Sequence, residues 1–274
     1  MALPTLSTPL RRLACLALVL ALAAFAARAQ EPSFVDWVRH SGFIFLGTVK
    51  SLGTATPAPN GARDVNGAVV TVDRVLEALP PIGNPAGKDV NVRLRDPQKF
   101  QAGQRAVFFT YLQSAGTTLG LVEVASQSAD QPEAIGRRIA DARRTIADEA
   151  LAARLASAEL VVVGTVGKAR PTPEALDPSS EHDPRWYRAP IRVESFEKGK
   201  AATQAVTVNI AYGDDVVWRT APKPKEGDSG IFLLQPERQK RYRAPGLFLI
   251  DPLDWQPRGE LERVRRLLKA TTPR

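Results

Sequence analysis

The sequence predicts a mainly β protein with flanking helices, organised as two tandem five-stranded barrels joined by a helical segment. Three observations predict it. The strand Phe43-Ile44-Phe45-Leu46-Gly47-Thr48-Val49 is written again as Leu160-Val161-Val162-Val163-Gly164-Thr165-Val166. Each copy is followed, in the same order, by further short apolar or alternating runs separated by Gly- and Pro-containing turns, the pattern of an all-β unit. Between the copies the apolar period changes from two residues to a helical one. Five strands in an open sheet would leave N–H and C=O groups unpaired at both edges, and closure into a small barrel removes them.

Residues 1–29 read as a secretory signal. Arg11 and Arg12 supply the positive n-region, Leu13 to Ala24 is an uncharged apolar run, and Ala27-Arg28-Ala29 is a small-x-small cleavage site. The mature chain is expected to begin at Gln30 and to reside in the periplasm or outside the cell. The apolar run falls short of the roughly 20 residues of a membrane span, and no later segment approaches that length, so no transmembrane segment is expected after cleavage. Cys15, the one cysteine, lies within the signal. Disulfides, thiolate nucleophiles and cysteine–zinc sites are therefore excluded for the mature chain. The formal charge of +8 falls to +5 when Arg11, Arg12 and Arg28 leave. That bias helps solubility and is not the dense basic footprint of a nucleic-acid binder, so no nucleic-acid partner is expected.

The first barrel unit covers residues 30–130. Phe34, Trp37 and Val38 fall at i, i+3 and i+4, which predicts a short helix ended by Gly42. The first strand follows. Residues 51–66, rich in Gly, Pro, Thr and Ala, form a loop. Val69 to Leu76 is the second strand, and the prolines and glycines of residues 79–88 make another loop. Val90-Asn91-Val92-Arg93-Leu94 alternates as a half-buried strand does. Gly103-Gln104 turns into the strand Ala106 to Tyr111, and Gly116 marks a hairpin to a fifth strand, Leu119 to Val124. Residues 131–158 are a connecting helix. Pro132 sits where a helix can start, and Ile135, Ile139, Ala142 and Ile146 form its apolar stripe.

The second barrel unit, residues 159–274, repeats the plan. Leu151 and Leu155 take the places of Phe34 and Val38. After the repeated first strand comes a polar loop to Asp183, a strand from Trp186 to Phe196, and Val206 to Ile210, which matches Val90 to Leu94. Gly227 to Leu233 matches Gly103 to Phe109, and Phe248-Leu249-Ile250-Asp251 matches Gly120-Leu121-Val122-Glu123. Gln256-Pro257 opens a last helix with Leu261, Val264 and Leu268 inward.

These motifs together resemble a known family. They are an apolar strand ending Gly-x-Val, a second strand closed by Lys198-Gly199 in the second copy, a Val-x-Val strand, and Gly-x-x-x before an aromatic-aliphatic strand. The combination resembles the netrin-like oligonucleotide/oligosaccharide-binding (OB) barrel, the fold of the tissue inhibitors of metalloproteinases. The resemblance covers both halves. It implies an OB-like barrel in each unit and a protein that acts mainly by binding other proteins. Inhibitors of that family reach a protease zinc through an N-terminal cysteine. Gln30 would stand there in this chain, so that mechanism is not implied.

Gly227-Asp228-Ser229-Gly230 resembles the nucleophile loop of chymotrypsin-like serine proteases. That chemistry needs a histidine base and a buried carboxylate. The mature chain offers only His40 and His182, and the matching turn of the first unit, Gly103-Gln104-Arg105-Ala106, has no serine. Turn chemistry accounts for the Gly, Asp and Ser. His40 is expected to lie at the surface or to cap the first helix. Asp177, Glu181, His182 and Asp183 form an acidic loop whose spacing fits no standard calcium loop.

Aromatic residues and arginines cluster in the second unit: Trp186, Tyr187, Arg188, Trp218, Arg219, Tyr242 and Trp255. Such a set makes protein-interface anchors or stacks sugars. They are the candidate binding residues, with a protein or an envelope polysaccharide as partner. No catalytic residue, metal or cofactor is expected. The sequence thus points to an exported, non-catalytic binding or assembly protein of the cell envelope. A serine hydrolase using Ser229 and an envelope-polysaccharide or anionic-surface binder are the alternatives.

Overall fold

The computed structural model describes residues 32–53, 65–80, 83–115, 118–172, 182–236 and 246–271. The expected signal segment, the tip of the expected Gly116 hairpin, Asp177, Glu181 and Tyr242 lie outside the described residues. The chain divides into two compact units, Met1–Arg143 and Arg144–Arg274.

The first unit opens with α1 (Phe34–Arg39), fixed by a capping box in which Ser33 and Asp36 each accept the other's backbone N–H. Its apolar face packs on Phe109, which meets Phe34 edge-on at 5.4 Å and Trp37 at 5.7 Å. His40 Nδ1 donates to the Asp36 carbonyl at 2.8 Å, the second of its two expected roles. Five strands follow: β1 (Phe43–Leu52), β2 (Gly67–Ala78), β3 (Asp89–Arg93), β4 (Arg105–Ala115) and β5 (Thr118–Ser128). They close a barrel in the order β1-β2-β3-β5-β4, with β4 returning to β1. Every pairing is antiparallel except β3 with β5. The interior holds Val70, Val72, Val92 and a run of ring stacks, Phe43 on Phe45, Phe45 on Phe108, and Phe108 on Phe100.

Gly47 explains why the strand signature contains a glycine. The β1–β2 register slips between Leu46 and Gly47, and a Cβ on Gly47 would lie 2.7 Å from Val70 Cγ1 and 2.9 Å from the Thr71 carbonyl oxygen. The bulge brings the neighbouring backbone too close for any side chain.

The connecting helix α2 (Pro132–Ser157) is one unbroken element. Its Arg143 binds the Glu77 carboxylate and the Ser41 carbonyl of the first unit. Leu151 and Leu155 are buried in the second.

The second unit contains β6 (Leu160–Val166), β7 (Arg170–Pro171), β8 (Arg185–Lys198), β9 (Ala205–Tyr212), α3 (Val216–Arg219), β10 (Ser229–Pro236), β11 (Leu247–Leu249), β12 (Trp255–Gln256) and α4 (Leu261–Thr271). The sheet order is β11-β9-β8-β6-β10-β12, with β7 on β8 and a further β11–β10 pairing. One core lies beneath the sheet around Ile191, Val208, Phe232 and Leu249. A second lies on its other face, where Leu151, Leu155 and Val264 cover Val161, Val163, Ile231 and Leu233.

The closed five-stranded barrel is that of the first unit; the second, expected as a like barrel, is a seven-stranded sheet, several of whose pairings match the first unit's. The β9–β11 pairing is parallel, as β3–β5 is, and the β6–β8, β8–β9, β10–β11 and β6–β10 pairings are antiparallel. The β6–β8 register slips between Val161 and Val162 and between Val163 and Gly164, the positions of the slips at Ile44/Phe45 and Leu46/Gly47. A Cβ on Gly164 would lie 2.5 Å from the Arg192 carbonyl oxygen. One sequence match is corrected. Tyr111 pairs with Val122 and Gln235 with Phe248, so Gly120 corresponds to Gly246 and not to Phe248. A two-residue slip keeps every side chain on its own face, so apolar alternation does not reveal it. β7, α3 and β12 are additions that the sequence reading did not contain.

Candidate functional site

On β8 the side chains alternate between faces. Ala189, Ile191 and Val193 point into the core, and Trp186, on the opposite parity, points out. Outward does not mean exposed. Trp186 is 4% exposed, with Trp218 edge-on at 5.7 Å and Phe248 edge-on at 5.2 Å. Trp186, one of the candidate binding residues, is the floor on which α3 rests.

α3 is one helical turn held at both ends. Asp215 caps it by accepting the Val217 N–H at 3.0 Å, and its other oxygen lies 2.9 Å from His182 Nδ1. The Val217 N–H, and after it His182, hold the Asp215 carboxyl below its usual range. Trp218 Nε1 donates to the His182 carbonyl at 2.9 Å. At the far end the Lys223 ammonium donates to the carbonyls of Trp218 at 2.8 Å and Arg219 at 3.1 Å, where a cation also favours the helix dipole. This anchoring presents Val216 and Val217 to solvent at 74% and 65% exposure, beside the exposed Arg219. The two valines were missed from the sequence. Their signal is an adjacent apolar pair behind a capping aspartate in a loop.

The other candidate residues lie elsewhere. Tyr187 faces away from Trp186 and packs on Tyr212, ring centroids 4.8 Å apart. Burial, and then Tyr187, raise the Tyr212 hydroxyl pKa. Arg188 donates to Asn209 Oδ1 at 3.2 Å. Trp255 lies parallel to Phe232 at 6.3 Å. The structure therefore brings together Trp186, Trp218 and Arg219, and it places Tyr187 and Trp255 outside that group. Tyr242 is beyond the described residues.

Each residue of the Gly-Asp-Ser-Gly turn has a structural task. Gly227 has φ +90°, as Gly103 has φ +83°. The Gly227 N–H donates to the Val166 carbonyl at 2.8 Å, as Gly103 does to Val49 at 2.7 Å. Asp228 accepts the Lys225 N–H at 2.7 Å, as Gln104 Oε1 accepts the Gln101 N–H at 2.9 Å. Ser229 shares a hydrogen bond with the Thr165 hydroxyl at 2.8 Å, and no histidine reaches it. Gly230 leaves room for the Trp255 ring, whose Cδ1 would stand 2.7 Å from an added Cβ. Among the described residues there is no group of His, Cys, Asp and Glu that could hold a metal ion, and no helix long and apolar enough to cross a membrane.

No family model matches the chain, and no curated protein matches it significantly. Among solved structures, the wild-type single-stranded DNA binding protein from Thermus aquaticus is 11% identical over 78% of this chain and 91% of its own, with a TM-score of 0.18. A deletion mutant of that protein gives 11% identity, 78% and 92% coverage, and a TM-score of 0.19. At such scores the likeness carries no argument about fold or function.

Proposed function

We propose that the chain is an exported, non-catalytic binding or assembly protein of the cell envelope, built from two OB-like, netrin-like barrels, and that its partner is another protein. The duplicated barrel is supported by the shared parallel pairing, the repeated register slips and the turn repeated hydrogen bond for hydrogen bond. The observation that carries the binding reading is α3. Two valines held in solvent by a cap, a lysine and a tryptophan floor form a rigid apolar tip with an arginine at its edge. Apolar and arginine side chains on a fixed support are what interface anchors are made of, because little side-chain freedom is lost on contact.

The test is site-specific photo-crosslinking in the producing cell, with a benzophenone side chain at Val217 and, as reference, at Lys50 in the first unit. A discrete adduct from position 217 and none from position 50 is expected. Equal labelling from both positions, or none from 217, refutes the reading.

A further inference from the structure

A pocket of about 450 Å³ opens in the first unit between α1, the turn after β3, and β5. Trp37, Arg95, Lys99, Glu123 and Ser126 are among the residues that line it. Its volume lies within the roughly 300–1,000 Å³ of small-ligand sites.

Glu123 is the informative group. It is 6% exposed, and Oε2 accepts the Arg95 backbone N–H at 2.8 Å. Among the described residues Oε1 has no hydrogen-bond partner, and no cation stands within ion-pair distance of the carboxylate. The nearby cations are turned elsewhere. The Arg95 guanidinium donates to the Val124 carbonyl at 2.9 Å. Lys99 lies 3.7 Å from Asp96, with the two side chains 74% and 46% exposed. So exposed a pair contributes little and is easily exchanged. Glu123 thus lines the pocket with Oε1 unpaired, and a ligand ammonium would give this largely buried side chain a charge-assisted hydrogen bond. Lys99 at the rim suits an anionic group on the same ligand, and the Trp37 ring suits an apolar group or the ammonium.

We propose that this pocket binds a small zwitterion of dipeptide size, its ammonium on Glu123, its carboxylate on Lys99, and an apolar side chain against Trp37. The site lies wholly in the first unit and is independent of α3.

Isothermal titration of the purified chain with alanyl-phenylalanine, its N-acetyl derivative and its C-terminal amide tests the assignment. Saturable binding of the free dipeptide is expected, with each blocked derivative weaker by about tenfold or more, the effect of one lost charge-assisted hydrogen bond. Glu123→Gln keeps an acceptor for Arg95 and should weaken the dipeptide by about tenfold. Lys99→Ala removes an exposed side chain without disturbing the barrel, and should leave the dipeptide and its amide equally weak. If Glu123→Gln does not fold, Lys99→Ala and the two derivatives decide. No saturable heat up to about 10 mM ligand overturns the proposal. So does an N-acetyl derivative that binds as tightly as the free dipeptide, or a Lys99→Ala variant that still prefers the dipeptide to its amide.

Discussion

Replacing Arg154 with methionine should unfold the second unit well before the first. Asp254 is 0% exposed, and its carboxylate accepts from Arg154 Nε at 2.6 Å and Nη2 at 2.7 Å. It also accepts the N–H groups of Ile250 at 2.8 Å and Asp251 at 2.9 Å. Arg154→Met keeps much of the aliphatic stem but strands the carboxylate with two backbone donors. Removing one partner of a buried pair costs about 3–5 kcal/mol. For a domain of this size, about 4 °C per kcal/mol gives a fall in melting temperature of roughly 12–20 °C. Asp254→Leu should be no milder, because it orphans the two N–H groups at about 1–3 kcal/mol each. Calorimetry follows both units, and tryptophan emission is weighted to the second, which holds Trp186, Trp218 and Trp255 against Trp37 in the first. A fall of less than about 4 °C, equivalent to 1 kcal/mol, would mean that the ion pair is no stronger than a surface pair, and the argument from burial would fail.

Gly164→Ala should destabilise the second unit by about 1–3 kcal/mol, because the Cβ meets the Arg192 carbonyl rather than a movable side chain, and urea unfolding reads the loss. In acid, the hydrogen bond from Arg265 to Glu197 and that from Arg263 to Asp148 hold both carboxyls below their ordinary range. Stability from them is therefore present above their unfolded-state pKa values and is lost as pH falls through the depressed folded ones. The urea midpoint should drop below about pH 4, and Glu197→Gln with Asp148→Asn should flatten that slope; an unchanged slope contradicts the assignment. Ser229→Ala should cost about 1 kcal/mol or less, and a fluorophosphonate probe should label neither form. Labelling of the native chain that the variant abolishes would restore the hydrolase alternative.

What the sequence made legible and what it did not follow from physical range. The strands could be read because a barrel wall imposes a period of two over consecutive residues, and Gly47 and Gly164 mark the bulge locally. The helix Pro132–Ser157 could be read from its stripe. The face of Trp186 could not be judged, because whether an outward tryptophan is covered depends on α3, a four-residue element with no period of its own. The Glu123 pocket was invisible for another reason. Trp37, the Arg95 to Lys99 stretch and Glu123 are far apart in sequence and meet only through closure of the barrel. The register of β11 was missed because a slip by an even number leaves the hydropathy pattern unchanged.

The rings that stopper the two cores have different origins. Phe232 corresponds to Phe108 by its pairing, yet Phe108 is met by Phe100, from the connection before its own strand, and Phe232 by Trp255, from a segment after it. The first unit thereby ties down its third-to-fourth connection as a plug. The second is sealed from the C-terminal side instead, and its corresponding connection carries α3.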